Sequence, residues 1–399
     1  MLIVKVYFMK YFKILWLGLF PVTISSGLFA QETVKDVEHV KVYYEAGMYG
    51  GWPANNGIWI WGNEILVGFS KGYYKDLGAK HNIDRDKPEL HMLARSMDGG
   101  NTWKVEDPGK TGGLVPHGYF MAKPRTDVPQ QQVELQTESI NFQHPGFALT
   151  ARSNSDAGES RYWYYYAKGP HWRGPFALPR FGTQGTAAGT DYITDGEDKC
   201  MLYITAAKSN GKEGRVLCVK TSDGGRHWSL QSWIGEEPVG YAIMPASVLI
   251  SDHEILVTVR QKEGDNSFIS SWSSVDNGNS WKQLKNAADD TGIGNPPAMV
   301  RMKDGRICLV YGYRADAESI QHKSKTSDIR ARISSDNGKT WSKEYILRND
   351  GSGQDIGYPR VVQRPDGKIV AVYYFMDDQT GRERYIGATI WSPPPSGKE

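Results

Sequence analysis

Short apolar segments separated by polar turns recur along most of the chain. The clearest unit has apolar or alternating segments at residues 297–302, 307–313, 327–334 and 342–347. Segments of this length, bounded by turn residues such as Asp304 and Gly305, are typical of β-strands. Because the connections are short, neighbouring strands should pair antiparallel. The unit therefore predicts a four-stranded sheet of the size of one propeller blade.

An eight-residue motif ending in tryptophan separates the third and fourth predicted strands. It occurs at residues 96–103, 221–228, 274–281 and 334–341, with the shared pattern Ser/Thr-x-Asp-x-Gly-x-Thr/Ser/His-Trp. The Asp side chain can accept hydrogen bonds from the backbone N–H groups that follow it, the Gly permits a positive φ, and the Trp ring anchors the turn. Four copies at blade spacing predict a β-propeller.

Six such units fit the chain, which predicts an all-β fold: a six-bladed β-propeller of four-stranded antiparallel blades. Five units begin with a residue followed by proline, which suits the first residue of a strand. The first strand of each blade in a propeller lines the central channel, so the residues at these starts should form one pocket. They are Trp52, His144, Asp191, Met244, Pro296 and Tyr358. Residues 40–44 are predicted to supply the fourth strand of the last blade and to close the ring.

The N-terminus has the pattern of a targeting segment. Lys10 and Lys13 precede an apolar run at residues 14–20, and a cleavage site follows Ala30. A membrane anchor is the alternative, but the run is short for a span and Pro21 interrupts it. We therefore expect a signal peptide at residues 1–30, a single propeller domain at residues 31–399, and a secreted or periplasmic protein without a membrane span.

Charge and cysteine content limit the possible partners. The net charge of +2 gives no sign of a nucleic-acid or membrane-surface partner. Three cysteines are an odd number, and the sequence favours buried thiols over a disulfide between Cys200 and Cys218. His81 and Asp84 have no further ligands at metal-binding spacing, so no metal site and no cofactor are expected.

The repeated motifs are similar to the Asp boxes of the sialidase superfamily, and residues 31–399 resemble a six-bladed sialidase-like propeller. Asp boxes lie on the face away from the sialidase active site and indicate the fold rather than the chemistry. For the chemistry, the resemblance implies three Arg residues that hold a substrate carboxylate, a Tyr–Glu nucleophile pair, and an Asp proton donor on a loop of blade 1.

Only part of this set has a counterpart in the sequence. Tyr358 matches the nucleophile. Trp52 stands where the first Arg is expected, Ser267 near the second and Lys325 near the third, so this sequence lacks the carboxylate clamp that the resemblance implies. Met244 stands near the expected Glu. The blade 1 insertion at residues 71–89 is the counterpart of the loop that carries the proton donor.

Candidate catalytic residues come from that insertion and from the last blade. Asp76, Asp84 and His81 can each protonate a leaving oxygen if they are suitably placed. Tyr358 needs a nearby base or cation to act as a nucleophile or proton donor. Residues two apart on a strand share a face, which places Arg360 beside Tyr358. The candidate substrate-binding residues are Arg260, Arg314, Arg360, Trp52, His144 and Asp191.

The function that these residues favour is an exported, exo-acting glycosidase that removes a terminal sugar from a glycan. In this hypothesis, Tyr358 is the nucleophile or stabiliser and a blade 1 acid is the proton donor. A polysaccharide lyase acting on a uronate-containing glycan is the main alternative, with His81, His144 or Tyr358 as base and acid. A propeller that only binds glycans is the third hypothesis.

Overall fold

The computed structural model describes residues 32–397, except for residue 35, residue 79 and the segments 112–131, 155–156 and 168–170. The predicted targeting segment, residues 1–30, lies outside the described residues. The described chain forms six antiparallel sheets, which confirms the predicted six-bladed propeller. Neither of its two short helices has the length and apolar character needed to cross a membrane.

The elements follow the chain blade by blade, after two N-terminal strands, β1 (Glu32–Thr33) and β2 (Glu38–Tyr43). Blade 1 contains β3 (Met48–Gly51), α1 (Pro53–Asn56), β4 (Ile58–Trp61), β5 (Glu64–Tyr73), β6 (Leu90–Ser96) and β7 (Lys104–Glu106). Blade 2 contains β8 (Phe147–Ser153), β9 (Ser160–Tyr166) and β10 (Arg173–Ala177). Blade 3 contains β11 (Thr186–Ala187), β12 (Tyr192–Thr194), β13 (Cys200–Ala207), β14 (Glu213–Thr221) and β15 (Ser229–Ile234).

The remaining three blades are more regular. Blade 4 contains β16 (Tyr241–Leu249), β17 (Ile255–Glu263), β18 (Asn266–Ser274) and β19 (Lys282–Gln283). Blade 5 contains β20 (Ala298–Arg301), β21 (Ile307–Tyr313), α2 (Ala317–Gln321), β22 (Ser327–Ser334) and β23 (Tyr345–Gly351). Blade 6 contains β24 (Gly357–Gln363), β25 (Ile369–Phe375) and β26 (Tyr385–Trp391).

Strand β2 closes the ring, as the sequence predicts. It pairs antiparallel with β26 and becomes the fourth strand of blade 6. This closure joins the two ends of the propeller and covers an edge that would otherwise be open. The sequence did not indicate that β1 pairs in parallel with β23 and adds a fifth strand to blade 5.

Apolar side chains fill the spaces between neighbouring blades. Tyr373 and Trp391, for example, are fully buried between blades 5 and 6. The three cysteines are buried and free, which confirms the prediction of unpaired thiols. Cys200 and Cys218 lie on the neighbouring strands β13 and β14, but the register sets them opposite Thr221 and Tyr203 rather than opposite each other.

The Asp boxes form the turns between third and fourth strands. In the box of blade 5, the Ser334 hydroxyl donates to Asp336 Oδ1 at 2.9 Å and accepts from the Gly338 N–H at 2.8 Å. Asp336 also accepts from the backbone N–H of Thr340 at 2.9 Å and from its hydroxyl at 2.6 Å. Gly338 has a φ of 81°, which favours glycine. The Asp box is therefore a closed hydrogen-bond network.

Replacing Asp336 with Ala should lower the free energy of unfolding by about 1–3 kcal/mol, because several donors of the turn lose their acceptor. Urea denaturation measures this difference. Asp252→Ala, in an exposed turn outside the boxes, is the control and should change the free energy of unfolding by less than about 0.5 kcal/mol. Unchanged stability together with lost activity in the Asp336 variant would contradict the structural role.

Blade 2 requires a correction to the predicted strand direction. Strand β8 is the edge strand of the three-stranded sheet β10–β9–β8, and its C-terminal end, not its N-terminal end, reaches the cavity; near that end the Thr150 hydroxyl donates to the Asn56 carbonyl of α1 at 3.0 Å. His144 precedes the far end of β8, close to Ile140, whose N–H donates to Gly224 in the Asp box of blade 3. His144 therefore lies near the Asp-box turns, with its ring 4.3 Å from that of Tyr166.

Candidate functional site

A cavity of about 410 Å³ lies on the channel where the first strands of several blades begin. Five of the six residues predicted to meet there do so: Trp52, Asp191, Met244, Pro296 and Tyr358. His144 is the exception, because blade 2 sends Arg152 at the end of β8 to the cavity instead. The charged residues of the lining are His81, Arg85, Glu89, Arg152, Asp191, Glu213, Arg260 and Arg360.

Three lining residues share an unusual backbone conformation. Trp52, Met244 and Tyr358 have φ values of 57°, 51° and 50°, and each precedes a proline. The ladder between β16 and β17 shifts register around Met244, and the ladder between β24 and β25 shifts around Tyr358. Such bulges redirect side chains, and left-handed non-glycine residues cost of order 1 kcal/mol or more. Three of the eight positive-φ non-glycine residues in the described part of the chain therefore line the cavity.

The Tyr358 hydroxyl is held by a buried arginine. Arg260 Nη1 donates to Tyr358 Oη at 3.0 Å, and its Nη2 donates to Tyr241 Oη at 3.3 Å. Burial acts to lower the pKa of Arg260, but these two hydroxyls outweigh it and the pKa is raised. The Tyr358 N–H donates to Asn295 Oδ1 at 3.0 Å, and this bond fixes the left-handed turn. Tyr358 thus accepts a charged hydrogen bond within the cavity.

A second arrangement joins His81 to a buried carboxylate. His81 Nδ1 lies 2.8 Å from Asp355 Oδ1, and Asp355 is fully buried. Arg314 and Arg384 each approach Asp355 at 3.2 Å, and the Tyr374 hydroxyl donates to it. Burial alone would raise the pKa of Asp355, but His81 and the two arginines hold it well below its usual range. Asp355 is therefore a carboxylate in the folded protein.

Three carboxyl groups line the cavity itself, those of Asp191, Glu89 and Glu213. Burial raises the pKa of Asp191 to about 6, although Arg360 and Ser247 oppose the shift. Asp191 Oδ1 accepts from the Ser247 N–H at 3.2 Å, whereas Oδ2 is buried without a hydrogen-bond partner in the described chain. Burial also raises the pKa of Glu89, which the Ser70 hydroxyl, Arg152 and Arg85 oppose. The site therefore contains acids that retain protons at unusually high pH.

The arginines of the lining already have internal partners. Arg360 donates to the carbonyls of Ala54 and Thr190, and Arg152 donates to Asn56 Oδ1. The Arg85 guanidinium lies 5.0 Å from the centre of the Trp52 ring. Arg314, a predicted substrate-binding residue, lies behind the cavity in the Asp355 cluster rather than in its lining.

Of the three candidate proton donors in the blade 1 insertion, only His81 lines the cavity. Asp76 is exposed, accepts from the Gly78 N–H and pairs with Arg382 at 2.8 Å. Asp84 accepts from the Asp86 N–H and lies 3.5 Å from Lys75. Neither lines the cavity, because both carboxylates are used in turns of the insertion. His81, the third candidate, does line it.

Glu89, Arg152 and Asp355 were not among the site residues predicted from the sequence. Both acids lie close in sequence to features that were predicted. Glu89 follows a proline at the end of the charged blade 1 insertion, and Asp355 lies three residues before Tyr358. Within the described residues, no group of three or more His, Cys, Asp or Glu side chains is arranged to hold a metal ion.

Several solved structures share the fold at low sequence identity. A protein of unknown function from Dyadobacter fermentans DSM 18053 has 19% identity and a TM-score of 0.65, with 90% of this chain and 100% of that chain covered. The K499G mutant of the NanB sialidase from Streptococcus pneumoniae has 11% identity and a TM-score of 0.55, covering 88% and 68%. An alpha-L-arabinanase from Penicillium chrysogenum, complexed with arabinobiose, has 13% identity and a TM-score of 0.53, covering 89% and 97%.

At these identities the similarity establishes the fold, which is sialidase-like. No curated protein sequence matches the chain. A family model does: the BNR repeat-like domain matches residues 168–371, which are 204 of the 399 residues. By that match, and by the six blades and Asp boxes described above, the chain belongs to the BNR repeat-like family.

Proposed function

We propose that this protein is an exo-acting glycoside hydrolase that releases a terminal sugar from a glycan. The observation that carries the proposal is the Tyr358–Arg260 pair, with its 3.0 Å hydrogen bond, in a cavity that also holds acids of raised pKa. A volume of about 410 Å³ is near the lower end for small-molecule sites and suits one or two sugar rings.

The Tyr358–Arg260 pair can act on the sugar carbon that becomes positively charged when a glycosidic bond is cleaved. Because the Arg260 guanidinium donates to Tyr358 Oη, the phenolic proton must point to another acceptor. The buried positive charge of Arg260 also favours negative charge that develops on this oxygen. Tyr358 can therefore stabilise or attack the positively charged sugar carbon, and tyrosine nucleophiles are known among glycosidases.

The structural relatives support a glycosidase, and the arginine arrangement bears on its substrate. The relatives include a sialidase, an alpha-L-arabinanase and an alpha-L-arabinofuranosidase. Trp52 and Ser267 replace two arginines that a sialidase would use, and Arg260, Arg152 and Arg360 have internal partners. We therefore propose a substrate range that includes neutral sugars. The signal-like segment at residues 1–30 supports action outside the cytoplasm.

The test is a screen of the purified protein against aryl glycosides of neutral and acidic sugars and against intact glycans. The expected result is the release of one monosaccharide from the non-reducing end, detected by chromatography and by new reducing ends. Retention on a glycan column without any product would contradict catalysis and favour a binding propeller.

A lyase is the second candidate, and the observation that favours it is the proximity of His81 to Asp355. A histidine oriented by a carboxylate can remove the proton next to a uronate carboxyl group, and Tyr358 can protonate the leaving oxygen. Elimination produces an unsaturated uronate that absorbs in the ultraviolet, whereas hydrolysis does not. The same screen therefore separates the two reactions when uronate-containing glycans are included.

A further inference from the structure

We infer that Asp355 is a positioning residue for His81, and that this His–Asp pair carries the proton transfer of the reaction proposed above. The inference rests on that proposed function. Asp355 lies just before β24 and His81 in the blade 1 insertion, so the pair joins the first blade to the last. Asp355 itself does not line the cavity, whereas His81 does.

The geometry leaves one imidazole nitrogen for the substrate. His81 Nδ1 is buried 2.8 Å from Asp355 Oδ1, which is an ion-pair distance without the alignment of a hydrogen bond, and Nε2 lies on the opposite edge of the ring. The Trp52 ring packs edge-on against His81, with 5.2 Å between the ring centres, and restricts its rotation. The side chain is 35% exposed, and among the described residues it is the only imidazole that lines the cavity. Asp355 and Trp52 therefore restrict the His81 ring, which remains accessible from the cavity.

Asp355 is held more firmly than an ordinary carboxylate partner. Arg314 follows β21, Tyr374 belongs to β25 and Arg384 precedes β26, and all three contact Asp355. Because these elements come from blades 5 and 6, the carboxylate has a fixed position relative to Tyr358, which opens β24. A fixed carboxylate behind an imidazole selects its tautomer and orientation, as in catalytic triads.

Four other acids of the region are less suited to this role. Asp76 and Asp84 do not line the cavity, Glu89 contacts Arg85, and Asp191 lies at the floor against β16.

The proposed step begins with protonated His81. Its Nε2 proton moves to the glycosidic oxygen as the bond from the sugar carbon to that oxygen breaks, and the bonding electrons remain on the oxygen. The sugar cation, stabilised at Tyr358 Oη, then bonds to water, and the water proton returns to Nε2.

The experiment compares leaving groups. An aryl glycoside with a low-pKa phenol needs little protonation, whereas an alkyl glycoside needs full protonation. His81→Ala should therefore lower kcat for the alkyl glycoside by about 10²–10⁴-fold and for the activated aryl glycoside by less than about 10-fold, with little change in KM. Added imidazole should restore part of the alkyl glycoside activity of this variant. Arg314, Arg384 and Tyr374 still contact Asp355 in this variant, so the protein should remain folded, which thermal unfolding checks.

Asp355→Asn is the second variant and should show the same dependence on leaving group, with a smaller loss. A purely structural role would lower both activities equally, and that result would overturn the positioning role. If Asp355→Asn does not fold, His81→Ala and the imidazole rescue still decide the proton-transfer role. If His81→Ala lost equal activity on both glycosides, or kept full activity on both, the proton-transfer role of His81 would be overturned. Wild-type protein that hydrolyses nothing would instead refute the proposed function.

Discussion

Replacing Tyr358 with Phe is expected to lower kcat by at least about 10³-fold and to leave the fold intact. The change removes a single oxygen atom, which is the one that Arg260 contacts at 3.0 Å inside the cavity. The backbone bond from the Tyr358 N–H to Asn295 does not depend on the hydroxyl, so the left-handed turn should persist. Water in the cavity can replace the lost acceptor of Arg260, and the stability loss should be about 1 kcal/mol or less.

Tyr241→Phe is the matched control, because Tyr241 is the other phenol that accepts from Arg260, at 3.3 Å, and it does not line the cavity. This variant should lose less than about 10-fold in kcat. Steady-state kinetics on the best substrate of the screen and thermal unfolding of both variants provide the comparison. Full activity of Tyr358→Phe would remove Tyr358 from the mechanism, whereas equal losses in both variants would assign the effect to Arg260.

The blade architecture could be predicted because its signals are local. Each Asp box places an acceptor, a glycine and a ring within eight residues, and four copies reveal the period of the fold. The closing strand could also be predicted, because blade 6 lacked a fourth strand and residues 40–44 had the right pattern. The wrong placement of His144 arose in blade 2, where the Asp-box signal is missing. Blade 2 has no intact Asp box, so its strands could not be aligned with those of the other blades.

Most of the selected cavity residues could be predicted from the sequence, but the contacts between their side chains could not. The dipeptides that begin with Trp52, Met244 and Tyr358 identified three residues of the lining, because proline suits the start of a strand and the first strands line the channel. The contact between His81 and Asp355 could not be predicted, because 274 positions separate the two residues and the contact depends on ring closure. The sequence also does not show which carboxylates of the insertion are used in turns, as Asp76 and Asp84 are.

Replacing Asp191 with Asn is expected to stabilise the protein above pH 6. Burial raises the pKa of Asp191 to about 6 in the folded protein, compared with about 4 in an unfolded chain. The folded state therefore binds this proton more tightly than the unfolded state does. The resulting stability is fully present below about pH 4 and is lost as the pH rises through 6. Above that pH, wild-type protein must keep a charge in a site where Oδ2 has no hydrogen-bond partner among the described residues.

Asn keeps the shape of Asp and cannot ionise, so it removes this penalty. The net shift, which already includes the attraction to Arg360, corresponds to roughly 3 kcal/mol, and this figure is the upper limit of the expected gain at pH 8. Urea denaturation of both proteins at pH 4.5 and pH 8 measures the gain, which should shrink at the lower pH. Asp195→Asn, exposed in the following turn, is the control and should stay within about 0.5 kcal/mol of wild type. A variant that is less stable than wild type at pH 8, or a gain independent of pH, would show that Asp191 is charged and well paired at the floor of the cavity.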